Sequence, residues 1–470
     1  MLIAGSTVLR RNAFAAYPAP AVSDVSFAGS SASGNRRQTI VDALTPLQAQ
    51  ITAAITGKNI IIKPNCVYNN VLCATHVDAL RGVLDFLRNT IQTTQPIMIG
   101  EASAYTTPPG TAAVYALCGY PALTTEYTGV TLVDFNDTNQ MPSATRHIWA
   151  IDLTGTQAIN VSSAFLDENN YVISICRPKT HNCLTMTATT KDMCMAMPLA
   201  VDKHYMHGVT AATGLNAGED KCLSYNVFQL ANLFGPKNLP ALAILDAWEG
   251  MQGQGPVSGT SIMQYCAIAS ADYLAVDRLA AKLMGFSDTP TEPMNKAAPS
   301  YTDMRYLVWM SNAGLGNYDL AKINFIKGSL TELTTYIKRY TLSPNYTGNP
   351  SYETIWTGGP PAAILDQSGV RDSSYLDPKP FLAPQFRQPS GRNEMIIDFS
   401  LPKGFLISLG IYSLSGAEIR RLGEEHLPSG RYSRVWDCCG NNGSRVASGR
   451  YIIKLKFDSR EMCGHVSLVR

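Results

Sequence analysis

The residues best suited to chemistry are concentrated between Arg177 and His207. This stretch contains four cationic side chains and three of the chain's 7 histidines: Arg177, Lys179, His181, Lys191, Lys203, His204 and His207. Histidine titrates near neutral pH and ligates metals, whereas lysine and arginine bind anions. The stretch is therefore predicted to be part of a functional site.

Three interpretations of this stretch are open. In the first, four cations surround a phosphate or carboxylate: Lys63, Arg177, Lys179 and Lys191. In the second, His181 and His207 bind zinc or nickel, helped by a cysteine or Glu101, because both metals favour imidazole nitrogen. In the third, the polar side chains only satisfy loop carbonyls and surface carboxylates.

The elements that must position these residues alternate between buried strands and amphipathic helices. The predicted strands are 59–63, 96–100, 131–135, 171–176, 241–245, 265–270 and 323–326, and the main helices are 38–56, 76–88, 226–234 and 272–284. This alternation predicts an α/β fold, with a mostly parallel sheet and helices on both faces. Ligands in such folds lie beyond the carboxyl ends of the strands.

Polar residues follow several of these strands, and they are the predicted binding residues. They are Lys63, Asn65, Glu101, Arg177, Lys179, Asp246, Gly253 and Gly255. Asp246 ends a buried strand, where a carboxylate is costly without a cation, so it is predicted to face the basic stretch. Gly253 and Gly255 would allow a ligand to approach the backbone closely.

Several of these motifs resemble a known family when they are taken together. They are Lys63-Pro64-Asn65, the segment 177–181, Lys191 with Asp192 in place of the family's asparagine, and the glycine-rich acidic stretch 246–259. Residues from about 58 to 328 resemble the domain of unknown function family number 362. Its members are bacterial and archaeal proteins, some of them exported and some fused to iron–sulfur domains. The family name implies no activity, and no iron–sulfur ligand run is present in this sequence.

His181, Lys191 and His207 are similar in order and spacing to residues of the nickel-pincer lactate racemases. In those enzymes a lysine holds the cofactor covalently, and histidines act as metal ligand and as acid or base. The resemblance implies catalytic roles for His181, Lys191 and His207 and a metal at the two histidines. It also implies a 2-hydroxy acid as the substrate.

The chain is predicted to divide into four parts. Residues 1–37 are a flexible lead-in or the remnant of an export signal, and 38–330 are the α/β domain. Residues 331–392 are a connecting segment rich in Pro, Gly and Ser. Residues 393–470 have short strands separated by turns, which is typical of a β-sandwich.

Residues 394–470 resemble the Ig-like module first described in flagellar hook-capping proteins. The resemblance is carried by Ile411, Tyr412, Gly416, Ile419, Leu422, Gly430, Trp436, Asp437, Gly440, Gly443, Val446, Gly449 and Tyr451. It implies an adhesive or sorting appendage of an exported protein. Homo-oligomer formation or assembly on a surface through this module is the corresponding expectation.

Composition limits the classes of function. A formal net charge of +2 argues against a general nucleic-acid binder, and no apolar run is long enough to span a membrane. Charged residues make up only 16%, which favours an extracellular or periplasmic location. The 11 cysteines indicate buried thiols with one or two disulfides, or a thiolate in the site.

Three hypotheses on function follow. The first is an exported, metal-dependent enzyme acting on a small anionic substrate. The second is a binding protein for a small anion, tethered by its Ig-like module. The third is an extracellular structural or assembly protein with a decayed site, for which Asp192 and the extra cysteines are signs of drift.

Overall fold

The computed structural model describes residues 20–108, 110–149, 156–207, 223–234, 241–288, 304–343, 385–387, 394–401, 405–427, 430–457 and 460–468. These residues form two compact units. The first lies within Ala16–Ile151 and Gln157–Ile355, and the second lies mainly within Trp356–Arg470. Most of the predicted connecting segment lies outside the described residues.

The first unit has twelve described strands, and ten of them form one large mixed sheet. Its strands are β1 (Ser23–Gly29), β2 (Asn59–Pro64), β3 (Ile97–Glu101), β4 (Val130–Asp134), β5 (Ser143–Trp149), β6 (Thr156–Ser162), β7 (Asn170–Cys176), β8 (Lys179–His181), β9 (Thr185–Thr187), β10 (Leu242–Gln252), β11 (Thr260–Ser270) and β12 (Ile323–Lys327). The order is β12-β1-β11-β10-β7-β2-β3-β4, with β8 beside β10 and β9, while β5 and β6 form a separate pair. Along that order only β11 runs antiparallel to its neighbours. The prediction of an α/β fold with a mostly parallel sheet is confirmed.

Helices cover both faces of this sheet. They are α1 (Arg36–Leu44), α2 (Gln48–Ile55), α3 (Val77–Asp85), α4 (Thr111–Leu117), α5 (Pro121–Glu126), α6 (Thr189–Ala196), α7 (Lys203–Met206), α8 (Leu223–Phe234), α9 (Tyr273–Leu283), α10 (Arg305–Asn312) and α11 (Leu330–Thr334). On one face, α1 to α5 share a hydrophobic core with alternate strand residues such as Ile60 and Ile62. On the other face, α6 contacts β7 and α9 contacts β10 and β11. Because side chains alternate along a strand, Lys63 points to the α6 face.

Strand β1 corrects the prediction of a flexible lead-in before residue 38. It lies between β11 and β12, and the side chains of Val25 and Phe27 are buried. At its start, the hydroxyl of Ser23 donates to Oδ2 of Asp272 at 2.5 Å, which joins the strand to the first turn of α9. Residues 1–19 lie outside the described part of the chain.

The second unit is formed by antiparallel strands. They are β13 (Gln385–Arg387), β14 (Met395–Leu401), β15 (Phe405–Ser413), β16 (Glu418–Leu427), β17 (Gly430–Trp436), β18 (Gly449–Phe457) and β19 (Arg460–Leu468). They make two sheets, β13-β14-β17 and β16-β15-β18-β19. Residues of both sheets share one hydrophobic cluster, with Trp436 and Ile397 from the first sheet and Leu409 and Ile453 from the second. The antiparallel strands are confirmed, and the Ig-like identity stays a prediction.

No helix among the described residues is long and apolar enough to cross a membrane.

Candidate functional site

A buried ion network joins the end of β2 to α6 and is the base of the candidate site. The ammonium of Lys63 contacts the Asp192 carboxylate, donates to the Asp192 carbonyl oxygen at 2.8 Å and lies 3.0 Å from Oε2 of Glu101. All three side chains are almost completely buried. Burial alone would lower the pKa of Lys63, but the charges of Asp192 and Glu101 outweigh it and raise that pKa. Lys63 is therefore charged and fully paired.

Hydrogen bonds from neighbouring groups fix both carboxylates of this network. Asp192 accepts from the amide of Asn65 and from the hydroxyl of Ser174, the latter at 3.1 Å. Glu101 accepts from the backbone N–H groups of Cys66 at 3.1 Å and Ala102 at 2.8 Å. Burial raises the pKa of Asp192, and the charge of Lys63 and the hydrogen bonds from Lys63 and Asn65 oppose that rise.

Lys179 extends the network from strand β8. Its ammonium donates to Oδ1 of Asn65 at 2.5 Å and to the carbonyl oxygen of Cys73 at 2.6 Å. Asn65 therefore bridges Lys179 and Asp192. Burial lowers the pKa of Lys179, and no carboxylate pairs with it directly in the described part of the chain.

The start of α6 is held by a carboxylate from α9. Oδ1 of Asp277 accepts from the backbone N–H of Thr189 at 2.8 Å and from its hydroxyl at 2.6 Å, and Oδ2 accepts from the N–H of Thr190 at 3.1 Å. Burial raises the pKa of Asp277 to about 6. This cap satisfies N–H groups that the first turn leaves free, and it places Lys191 and Asp192 at fixed points on the sheet face.

The charge of Lys191 is compensated more weakly than that of Lys63, because the charges of Cys183 and Asp192 act in its favour but do not outweigh burial. Its side chain is only 4% exposed, and no hydrogen bond or ion pair joins its ammonium to another residue in the described part of the chain. Burial, with added repulsion from Lys179 and Lys203, lowers its pKa to about 7. At neutral pH about half of it is therefore a free amine.

Lys203 supplies the fourth ammonium of this region. It contacts the carbonyl oxygen of Ala102 and donates to that of Met195 at 2.5 Å, and burial lowers its pKa to about 8. We call Lys63, Lys179, Lys191 and Lys203 the lysine cluster. Asp192 and Glu101 both pair with Lys63, so the other three ammonium groups form no ion pair with a carboxylate in the described part of the chain.

His181 lies beside this cluster in a fixed orientation. Its Nδ1 accepts hydrogen bonds from the backbone N–H groups of Cys183 and Leu184, both at 3.1 Å. Burial, together with the charges of Lys191, His207 and Lys179, lowers its pKa well below the usual value, so the ring is neutral. Because Nδ1 accepts, the remaining proton is on Nε2, and His181 can donate a hydrogen bond to an anion.

The same geometry does not fit the predicted metal site at His181 and His207. A histidine that ligates a metal through Nε2 donates its other N–H, whereas Nδ1 of His181 accepts two hydrogen bonds. Among the described residues, no three or more His, Cys, Asp or Glu side chains lie close enough together to hold a metal ion. The zinc or nickel site therefore has no ligand set in this part of the chain.

Asp246 was predicted to face the basic stretch. It lies with Arg177 of that stretch in a separate network on the α1 face, and it forms no ion pair with a lysine in the described part of the chain. Asp246 lies 3.4 Å from Nε of Arg36. Glu249 accepts from Arg36 at 3.2 Å and from Arg177 at 3.1 Å. Arg177 follows Ile173 and Ile175 at every second position, so the alternation of β7 directs it to this face.

The two predicted glycines pack against the protein's own backbone. A Cβ on Gly255 would lie 1.7 Å from the carbonyl oxygen of Thr180, so only glycine permits β8 to lie this close. Gly253 has φ of +84° in the turn, and its carbonyl accepts from the Thr180 hydroxyl at 3.0 Å. A positive φ accounts for Gly253 and close backbone contact accounts for Gly255, so neither glycine needs a ligand to explain it.

Four residues of the site were not among those predicted to form it: Ser174, Asp192, Lys203 and Asp277. Strand alternation would have indicated Ser174, because Ile173 and Ile175 belong to the core on the opposite face. Lys203 was part of the basic stretch but was assigned no role. Asp277 gave no signal, because a helix cap supplied from a distant element leaves no local pattern.

Comparisons with known proteins support the family resemblance over much of the first unit. A family model described as "Domain of unknown function (DUF362)" matches residues 60–282, within the range predicted for it. No curated protein matches the chain.

Three solved structures are similar to parts of the chain. PorZ of Porphyromonas gingivalis, a surface component of the type-IX secretion system, is 20% identical over 18% of this chain and 11% of its own, with a TM-score of 0.14. The lactate racemase apoprotein of Thermoanaerobacterium thermosaccharolyticum is 10% identical over 48% of this chain and 50% of its own, with a TM-score of 0.30. A Thermotoga maritima protein is 9% identical over 53% and 61%, with a TM-score of 0.31. The chain thus spans less than two thirds of each of these proteins.

Lys63 is ion-paired with two carboxylates, whereas Lys191 is not. We therefore expect substitution by methionine to have opposite effects on stability at the two positions. Lys63→Met leaves two buried carboxylates without their cation, so we expect a loss of roughly 3–5 kcal/mol in the free energy of unfolding. Lys191→Met removes a weakly compensated ammonium, so we expect a gain of roughly 1–4 kcal/mol at pH 6. Urea unfolding at pH 6 measures both, with the exposed Lys322→Met as control.

The dependence of this stability gain on pH tests whether the charge of Lys191 is its cause. In the native state the pKa of Lys191 is about 7, below its value of about 10.4 in an unfolded chain. The ammonium therefore costs stability fully below pH 7, and the cost falls as pH rises through this range. The gain from Lys191→Met should shrink between pH 6 and pH 10. A loss of stability in this variant at pH 6 would contradict the weak compensation of this charge and favour a purely structural lysine.

Proposed function

We propose that the first unit binds a small anionic ligand on the α6 face of its sheet, at Lys191, with Lys179, Lys203 and His181 around it. The single observation that carries the proposal is the buried ammonium of Lys191, which has no hydrogen-bond or ion-pair partner in the described part of the chain. Burying such a charge costs several kcal/mol, and a bound anion would offset that cost. Lys63 is satisfied by Asp192 and Glu101, and Asn65 is satisfied by Asp192 and Lys179, so we assign Lys63, Asn65 and Glu101 to positioning.

His181 supports the same function and favours an anion over a cation. Its neutral ring offers an N–H at Nε2, and the charges that act on it are all positive. A carboxylate or a sulfate-like group accepts hydrogen bonds from both an ammonium and an imidazole N–H. A metal cation would be repelled by the lysine cluster.

Calorimetric titration with sulfate and with lactate tests the proposal. Neither anion changes its charge between pH 6 and 8. Lys191 is mostly protonated at pH 6 and mostly neutral at pH 8, so the affinity should fall about tenfold between these values. Lys191→Met should abolish binding, and Lys322→Met should leave it unchanged. Lys191→Arg keeps its charge at both pH values, so its residual binding should lose the pH dependence. Equal wild-type affinity at pH 6 and pH 8, or no binding at either, would contradict the proposal.

A second candidate function is an enzyme acting on the bound anion, with Lys191 as proton acceptor. The observation that favours it is the pKa of about 7, since a general base is most effective when its pKa is near the working pH. His181 would then act as hydrogen-bond donor. His207, which also acts on the pKa of His181, would be a second catalytic residue.

Reaction with cyanate, a small anion that carbamylates free amines, tests the reactive state of Lys191. A lysine with a pKa near 7 has a far larger fraction of free amine at pH 7 than an ordinary one. Peptide mass spectrometry should therefore show carbamylation of Lys191 at least about tenfold faster than that of exposed Lys322. Saturating sulfate should slow the reaction at Lys191 only. Equal rates at the two lysines would contradict a role as base.

We further propose that the chain acts outside the cytoplasm and that its second unit is an Ig-like module that tethers or assembles it. The low content of charged residues and the match of the C-terminal motifs to that module support this. So does the buried Trp436 of the second unit, whose indole N–H donates to the Cys439 carbonyl at 2.8 Å. Fractionation of the native cells should place the chain in the periplasm, on the surface or in the medium. A cytoplasmic location would contradict export.

A further inference from the structure

Four charged side chains on the α1 face form a network of their own, on the opposite side of the sheet from the lysine cluster. Nε of Arg36 lies 3.4 Å from Oδ1 of Asp246, and its Nη2 lies 3.2 Å from Oε2 of Glu249. The same Glu249 oxygen accepts from Nη1 of Arg177 at 3.1 Å. We call these four residues the arginine network. Arg36, Arg177 and Asp246 are buried, whereas the side chain of Glu249 is 24% exposed, so the network meets solvent mainly at Glu249.

Arg177 uses only one of its guanidinium nitrogens in this network. Its Nε and Nη2 are buried and have no hydrogen-bond partner in the described part of the chain. An arginine can hold both oxygens of a carboxylate with two parallel N–H groups. Arg81 does so through these same two nitrogens, which lie 2.7 and 2.6 Å from the oxygens of Glu126. The corresponding edge of Arg177 is therefore suited to a carboxylate, and no described residue supplies one.

Asp246 offers a free acceptor beside this edge. Its Oδ2 is buried, and no donor reaches it among the described residues. Strands β10 and β7 are paired in register up to the residues just before Asp246 and Arg177, so these two are neighbours across parallel strands. Ile244 and Ile175, two positions earlier, both belong to the core on this face, so strand alternation directs Asp246 and Arg177 to the same side. A free pair of donors and a free acceptor therefore lie at neighbouring positions.

We propose that the arginine network binds a small zwitterionic amino acid. The carboxylate of the ligand accepts from Nε and Nη2 of Arg177, and its ammonium donates to Oδ2 of Asp246. Buried polar groups without partners cost free energy, and this ligand would satisfy all three of these atoms at once. The ligand enters from the side of Glu249, which is the exposed member of the network.

The charges of the network favour a zwitterion over a simple anion. Two arginines and two carboxylates balance one another, so a ligand without net charge preserves that balance. An anion would add an unpaired negative charge beside Asp246, which is costly in the interior. The inference goes beyond the proposed function and is independent of it, because it uses no residue of the lysine cluster and a ligand of different charge.

Equilibrium dialysis of the whole chain with isotopically labelled glycine tests the proposal. We expect saturable binding that excess unlabelled glycine displaces. Acetate and methylammonium, each of which carries only one of the two charges, should not displace the label. Because only bound glycine is measured, an anion held by the lysine cluster does not affect the result. Absence of saturable glycine binding, or displacement of the label by acetate as effectively as by glycine, overturns the proposal.

Two conservative variants test which residues hold the ligand. Arg177→Lys keeps the charge but replaces the paired donors by a single ammonium, and Asp246→Asn removes the charge that faces the ligand's ammonium. Each should weaken glycine binding at least about tenfold. Arg421 is 57% exposed, so Arg421→Lys is the matched control and should bind glycine like the wild type. Wild-type affinity in either folded variant, checked by circular dichroism, overturns the assignment. If neither variant folds, the displacement experiment on the wild type decides.

Discussion

The pairing of Lys63 with Asp192 is the interaction on which the candidate site depends. Either charge alone in the interior would cost several kcal/mol. Because Lys63 ends β2 and Asp192 lies on α6, the pair fixes the helix against the sheet face. Glu101 at the end of β3 accepts from the same ammonium, so one cation joins three elements.

The same pairing explains why Lys191 is left without a partner. Successive residues on a helix point about 100° apart, so a helix that directs Asp192 to Lys63 must direct Lys191 elsewhere. It points toward Lys179 and Lys203, whose charges act on it. The Asp277 cap prevents the helix from turning to relieve this repulsion. An arrangement that keeps an unfavourable charge in place is characteristic of a functional site, where stability is given up for binding.

The segments whose fold could be predicted are those with a clear pattern of apolar residues. Residues 60–62 are three isoleucines, so β2 was predicted within one residue of its observed end. In β1 only Val25 and Phe27 are large and apolar, and the serine and glycine around them suggested a loop. That strand is ordered by its two neighbours in the sheet, and a single segment of sequence does not contain this information.

For the site, the types of residue could be predicted from the sequence, but the sheet face to which each side chain points could not. Arg177 and Lys179 are two positions apart, so in one continuous strand they would share a face. Pro178 separates β7 from β8, and the two side chains enter different networks, one with Glu249 and one with Asn65. A sequence pattern predicts direction only within one element, and here Arg177 follows the end of β7 whereas Lys179 begins β8.

Asp192 was first interpreted as a sign of drift, and its contacts argue the opposite. It accepts from Lys63, Asn65 and Ser174, whereas an asparagine in its place would carry one acceptor oxygen and no charge. With Asp192 ionised, four ammonium groups face two carboxylates, so the surplus is at most two positive charges. A ligand with one or two negative charges would bring the cluster close to neutrality. If the cluster binds an anion as we propose, Asp192 would limit the charge of that anion and would favour small mono- and dianions over neutral or polyanionic ligands.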